Sequence, residues 1–96
     1  MRTVYRYEIP GDREFTLELP KSAEILTAEA SGRALFLWAL VDRDLPHDEM
    51  RRFLPVVVGQ PIPGDPDLVF IGMLSPERFA GSILLFEIRN GEDGGA

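Results

Sequence analysis

The amino-acid sequence predicts an all-β fold, a small antiparallel sandwich or barrel of about seven short strands with little helix. Three observations lead to this prediction. Short segments alternate apolar and polar residues, which is typical of half-buried strands. Proline and glycine recur between these segments at turn spacing. The apolar run Ala34–Asp42 is shorter than most helices and contains aromatic residues, which favour a pleated surface.

The first two elements are alternating strands. Residues 2–9 place apolar side chains on one face and charged side chains on the other, interrupted by Val4. Residues 14–19 alternate in the same way, and a proline–glycine turn at 10–12 separates the two, so we expect a hairpin. After a break at 20–22, residues 23–30 predict a weaker strand. A helix is the alternative there, because alanine and glutamate are good helix formers.

The run Ala34–Asp42 is the predicted centre of the fold and contains the only tryptophan. A tight turn at 31–33 should join it to the preceding strand as a second hairpin. As a strand it is apolar on both faces: one carries Ala34, Phe36, Trp38 and Leu40, and the other Leu35, Leu37, Ala39 and Val41. A core covers one face, so another layer or a neighbouring subunit must cover the second.

The rest of the chain predicts three more strands separated by loops. Residues 42–49 are a polar loop, in which 46–49 could form one helical turn. The next strand, 51–58, contains Pro55, which indicates a sheet edge or a bulge. A proline-rich loop at 59–67 precedes a strand at 68–74, where Gly72 indicates a bulge or a close backbone approach.

A turn at 75–78 and a last strand at 81–89 complete a single β domain over residues 1–89. Residues 90–96 contain three glycines and no large apolar side chain, so we expect a flexible C-terminal tail.

Composition excludes several protein classes. No apolar run reaches the length of about twenty residues that a membrane span needs, and the N-terminus lacks the pattern of a signal peptide. There is no cysteine, which is typical of a cytoplasmic protein. The net charge of −6 argues against binding a DNA or RNA polymer.

Catalytic patterns are missing from the sequence, so we predict that the chain is not an enzyme and needs no cofactor. No serine lies in a nucleophile elbow, and no phosphate-loop or dinucleotide fingerprint is present. His47, the only histidine, lies among acidic residues, but their spacing matches no calcium loop. A solvated acidic loop is therefore favoured over a metal site.

Nine of the ten basic residues are arginine, the better side chain for planar contacts with phosphate or carboxylate. The doublet Arg51-Arg52 is the main candidate, although successive strand residues point to opposite faces, so one pocket takes only one of them. With the aromatic and polar residues near the central strand and loops, the candidate ligand-binding residues are Tyr7, Arg33, Trp38, Arg51, Arg52, Gln60 and Arg78. Salt-bridged surface arginines and a core tryptophan are the alternatives.

Several segments resemble a family of small phage-encoded proteins of unknown function. The most specific are Leu-Trp-Ala-Leu-Val-Asp at 37–42 and Gly-Gln-Pro-Ile at 59–62, and the resemblance covers roughly residues 1–89. It also includes Tyr5-x-Tyr7 and the segments at 15–20, 51–53 and 70–72. The family pattern has histidine at the position of Gln60, whose amide still donates and accepts hydrogen bonds. The resemblance implies a phage accessory protein in the host cytoplasm.

Two functions are compatible with this resemblance. In the first, a homo-oligomer sequesters a small phosphorylated nucleotide signal and so counters host defence. In the second, an interaction module binds and blocks a host or phage protein through the sheet edge near Pro55 and the acidic loop 42–49. A homo-oligomer is expected whichever function applies, because the second apolar face of the central strand needs a cover.

Overall fold

The structure is a computed structural model that describes residues 1–62, 64, 67–76 and 81–89. Within these ranges the chain forms β1 (Arg2–Ile9), β2 (Phe15–Pro20), β3 (Glu24–Ser31), β4 (Ala34–Asp42), β5 (His47–Val57), β6 (Leu68–Leu74) and β7 (Ile83–Ile88). The strands pair antiparallel in two sheets, ordered β1-β4-β3 and β2-β5-β7-β6. The predicted all-β antiparallel sandwich is confirmed.

The core lies between the two sheets and is formed by alternate residues of each strand. From the three-stranded sheet it takes one face of β4, namely Leu35, Leu37, Ala39 and Val41. From the four-stranded sheet it takes Phe15, Leu19, Phe53, Leu74, Ile83 and Leu85. The period of two in these strands therefore separates a buried inner face from an outer face in both sheets.

The predicted hairpin between the first two strands is wrong. β1 pairs with β4 over its whole length, from Arg2 opposite Asp42 to Ile9 opposite Leu35, while β2 pairs with β5 in the other sheet. Residues 10–14 therefore cross from one sheet to the other. The alternating pattern is the same for a hairpin and for a crossing, because both bury one face of each strand.

The weaker segment at 23–30 is a strand, so the helical alternative does not apply. β3 pairs with β4 from Glu24 opposite Leu40 to Ser31 opposite Ala34, and this second predicted hairpin is present. Its turn places Gly32 at φ +60°, a backbone conformation that glycine adopts without steric penalty.

The helical turn predicted at 46–49 is wrong, because β5 already begins at His47. Glu49 lies opposite Leu19, and the pairing with β2 extends the strand through the polar segment. Beyond Phe53 no β2 residue lies opposite β5, and Pro55 pairs only with β7. Pro55 thus occupies the part of β5 that has one free edge, where its missing N–H is tolerated.

Gly72 lies at a bulge and at a close backbone approach. The register of β6 against β7 shifts between Phe70 and Gly72. A Cβ atom on Gly72 would lie 3.5 Å from the backbone nitrogen of Ala28. The bulge therefore brings β6 against β3, where the two sheets meet at one side of the sandwich.

Three predicted segments fall wholly or partly outside the described residues: part of the loop at 59–67, the end of the turn at 75–78, and the tail at 90–96. Among the described residues, no helix is long and apolar enough to cross a membrane.

Candidate functional site

The outer face of the four-stranded sheet carries three cross-strand rows of side chains. The register aligns Val56 with Leu84 and Met73, Leu54 with Phe86 and Phe70, and Arg52 with Ile88 and Leu68. Eight of these nine side chains are apolar. We call the eight the open face: Leu54, Val56, Leu68, Phe70, Met73, Leu84, Phe86 and Ile88.

The open face is accessible to solvent. Phe70 is 56% exposed and Met73 61%, and the other six residues are half-buried by their neighbours in the sheet. Phe70 contacts Phe86 edge to face, with ring centroids 5.6 Å apart. Monomeric proteins seldom expose a large contiguous apolar patch, so this surface is the principal candidate for binding another molecule.

The outer face of the three-stranded sheet is also apolar in its centre, but the chain partly covers it. Trp38 and Phe36 lie there half-buried, and the Arg6 guanidinium lies 4.0 Å from the centre of the Phe36 ring. Trp38 donates its indole N–H to Glu29 at 3.3 Å. The second face of β4 is thus covered by the stem and charge of an arginine from β1, in the manner of a cation–π contact.

Arg51 points into the sandwich and pairs with Glu87, a carboxylate that is only 3% exposed. The guanidinium donates from Nε at 2.6 Å and from Nη2 at 2.8 Å to the two carboxylate oxygens, and from Nη1 to the backbone carbonyl of Ala23. Arg89 approaches the same carboxylate at 3.0 Å. This bidentate pair connects β5, β7 and the turn before β3.

The two charges of this pair stabilise each other. Burial raises the pKa of Glu87, but the hydrogen bonds and charges of Arg51 and Arg89 outweigh burial and leave that pKa below its usual value. The hydrogen bonds to Glu87 raise the pKa of Arg51. Both groups are therefore ionised at neutral pH.

A surface cleft of about 480 Å³ lies beside this pair. It is lined by Ser22, Ala23, Glu49, Met50, Arg51, Arg52, Glu87, Ile88 and Arg89. Three of the lining residues are arginines, but Arg51 is held by Glu87, and Arg52 lies on the outer face and contacts Glu14 at 2.9 Å. The doublet points to opposite faces of its strand, as its spacing predicts. The expectation that one pocket takes only one of the two is wrong, because both long side chains line this cleft.

The remaining candidate residues are dispersed. Tyr7 is half-buried on the inner side of β1, where burial raises the pKa of its hydroxyl, and it lies 3.0 Å from Nε2 of His47. Trp38 is on the opposite face of the same sheet. Arg33 is exposed in the β3–β4 turn and Gln60 in the loop after β5, while Arg78 lies outside the described residues. Among the candidate residues that the structure describes, Arg51 and Arg52 are the two that line one cleft.

Sequence reasoning missed Glu87, Arg89 and the open face. The last strand is apolar on both faces except for one acidic residue, Glu87, at an inward position. Because a buried carboxylate is usually paired with a cation, this residue was a signal for a partner such as arginine. The open face has a similar signal, since β5, β6 and β7 are all apolar at outward positions.

Within the described part of the chain, no group of three or more His, Asp or Glu side chains is placed to hold a metal ion. A family model described as a domain of unknown function (DUF7352) matches residues 1–85. No curated protein and no solved structure matches the chain.

Proposed function

We propose that this chain, which belongs to the DUF7352 family, is a non-enzymatic interaction module that binds another protein chain through the open face. The observation that carries the proposal is the accessible apolar surface formed by outward residues of β5, β6 and β7. When a second apolar surface covers an uncharged surface of this kind, the removal of apolar area from water favours binding by about 25 cal/mol per Å².

The position of the open face supports this proposal. It lies on strands whose inner face is part of the core, with Phe53, Ile83 and Leu85 fully buried. A binding surface on such strands is rigid, so little conformational entropy is lost on association. Phe70 and Phe86 supply the aromatic contact area that often dominates binding energy in protein interfaces.

Photo-crosslinking in cells tests the proposal. A photoreactive amino acid replaces Phe70 in one variant and Val4 in another; Val4 is 47% exposed on the other sheet and serves as the control. We expect a discrete crosslinked protein from position 70, identified by mass spectrometry, and none from position 4. The added substitution Met73→Glu should abolish the product. No product from position 70, or the same products from both positions, would refute the proposal.

A second candidate function is binding of a small phosphorylated nucleotide, and the cleft beside Arg51 and Arg52 favours it. Its volume of about 480 Å³ lies within the range of small-molecule sites, and Arg89 adds a third guanidinium. A phosphate would compete with Glu87 and Glu14 for these arginines. The role of a phage accessory protein that sequesters such a signal rests on the sequence resemblance alone.

Isothermal titration calorimetry with cyclic dinucleotides and cyclic ADP-ribose isomers tests this second function. Binding that Arg89→Gln weakens at least tenfold would support it. Folded protein that binds none of these nucleotides would contradict it. The control is Arg33→Gln, which changes an exposed arginine outside the cleft.

A further inference from the structure

The open face has the properties of one half of a symmetric interface. We infer that its occupant is a second copy of this chain, and that two copies pack their four-stranded sheets face to face about a two-fold axis. This inference rests on the proposed function, because it names the partner of the same surface. Charge, area and composition each support it.

Because the chain is acidic, a second copy is expected to bind through an uncharged part of its surface. The chain has a net charge of −6, so two copies repel each other wherever acidic surfaces meet. The eight residues of the open face carry no charge. At its margin Arg52 pairs with Glu14 at 2.9 Å, so both signs are present at one edge. A two-fold interface must be complementary to itself, and an uncharged centre with both signs at its margin meets that condition.

The available area is sufficient for a stable dimer. The molecule measures 40 × 34 × 17 Å, and packed sheets lie about 10 Å apart, so the outer faces of the sheets form its two broad sides. A standard interface buries about 800 Å² per copy, which is a square of about 28 Å. One broad side is larger than this square, which covers the open face and extends to the residues at its margin.

The most exposed residues show what such an interface would bury. A free aromatic side chain exposes on the order of 200 Å², and Phe70 remains 56% exposed. Met73 of the same open face is 61% exposed. Methionine adapts its shape to a partner surface, and homodimer interfaces are more apolar than other protein surfaces. The composition thus resembles a permanent self-interface more than a transient contact with varied partners.

The other broad side is less suited to self-association. Its centre is occupied by Arg6, which lies over Phe36, and Glu29 accepts the hydrogen bond of Trp38. Two copies packed by this side would remove these charges from water in the middle of the contact, which costs free energy. The inference therefore places the dimer interface on the four-stranded sheet and leaves the Arg6 side facing solvent.

Sedimentation equilibrium of the purified full chain tests the inference. We expect a dimer at micromolar concentration. Phe70→Glu and Met73→Glu should each raise the dissociation constant of the dimer at least 100-fold. The matched control Val4→Glu, an exposed residue of the other broad side, should leave the constant within about threefold of the wild type. Far-ultraviolet circular dichroism must show that each variant keeps the β fold. If one of the two open-face variants does not fold, the other gives the measurement.

The remaining outcomes separate this inference from the proposed function. A monomeric wild type that still crosslinks from position 70 to another protein would overturn the second copy and keep the interaction module. A monomeric wild type without crosslinks would overturn both. A dimer that Val4→Glu dissociates and Phe70→Glu leaves intact would place the interface on the three-stranded sheet and overturn the inference.

Discussion

Replacing Arg51 with methionine should destabilise the protein severely, because it removes the main partner of a buried carboxylate. Methionine keeps the apolar stem of Arg51 and removes its charge. Glu87, 3% exposed, would lose two hydrogen bonds of 2.6 and 2.8 Å and retain only Arg89 at 3.0 Å. The backbone carbonyl of Ala23 would lose its donor as well.

The magnitude follows from the burial of the pair. Removing one partner of a buried ion pair costs about 3–5 kcal/mol. The remaining contact with Arg89 argues for the lower end, while the unpaired carbonyl of Ala23 adds about 1 kcal/mol. We expect a loss of about 3–4 kcal/mol, which a domain of 96 residues with roughly 5–14 kcal/mol of stability survives.

Two companion variants make the measurement specific. Arg52→Met breaks a pair whose side chains are 49% and 46% exposed, and should cost no more than about 1 kcal/mol. The double variant Arg51→Met/Glu87→Leu removes both charges and should recover most of the lost stability, since an apolar replacement of a buried pair is often neutral.

Urea unfolding followed by the fluorescence of Trp38, the only tryptophan, gives the three free energies. Urea is preferred because guanidinium chloride is a salt and screens charge. The reasoning is refuted if Arg51→Met costs as little as Arg52→Met, or if the double variant is no more stable than Arg51→Met.

Three further predictions concern acid and the glycines. Because the pKa of Glu87 is lowered in the folded state, its stabilisation is complete above the unfolded value of 4.5 and is lost as the pH falls through the lower folded value; acid titration by circular dichroism should show a loss that Glu87→Gln lacks. Gly32→Val should cost about 1–2 kcal/mol, because φ is +60°, whereas Gly32→Asn should be tolerated better. At Gly72 alanine should fit, since its Cβ would lie 3.5 Å from the nitrogen of Ala28, but leucine should cost about 1–3 kcal/mol by overpacking, measured in urea.

Local pattern was sufficient to predict the strands but not their partners. The alternation of β1 and β2 depends only on which side chains are buried, and it is the same whether the two strands pair or lie in different sheets. The β3–β4 hairpin was predictable because Gly32 gives a turn whose geometry fixes the pairing of its neighbours. The early start of β5 was not predictable. Its first residues, from His47 onward, are polar and join the strand by backbone pairing with β2, which the side-chain pattern does not indicate.

The candidate site was less predictable than the fold because it depends on contacts between distant residues. The doublet at 51–52 was correctly expected to point to opposite faces, but its partners Glu87 and Glu14 lie 36 and 38 residues away. A single sequence does not show which carboxylate pairs with which arginine. Exposure of the open face also depends on which sheet face has no covering layer, and that is a property of the topology.

The two apolar outer faces show why an apolar strand does not by itself require a subunit interface. The outward side of β4 was expected to need a second layer or a neighbouring subunit, yet the Arg6 guanidinium of the adjacent β1 lies 4.0 Å from the centre of the Phe36 ring and partly covers that side with a side chain that also reaches water. On the four-stranded sheet the corresponding position at the centre of the rows is Phe86, whose neighbours Leu54 and Phe70 are both apolar.

Among the residues that the structure describes, no charged side chain of an adjacent strand lies over that centre, because the nearest one on the same outer face, Arg52, stands at the corner of the rows and contacts Glu14. The first face is partly covered by Arg6 of the same chain, whereas the centre of the second is formed by apolar side chains alone. The proposed partner surface therefore lies on β5, β6 and β7, and on that proposal substitutions at Phe70 should change association while those at Val4 should not.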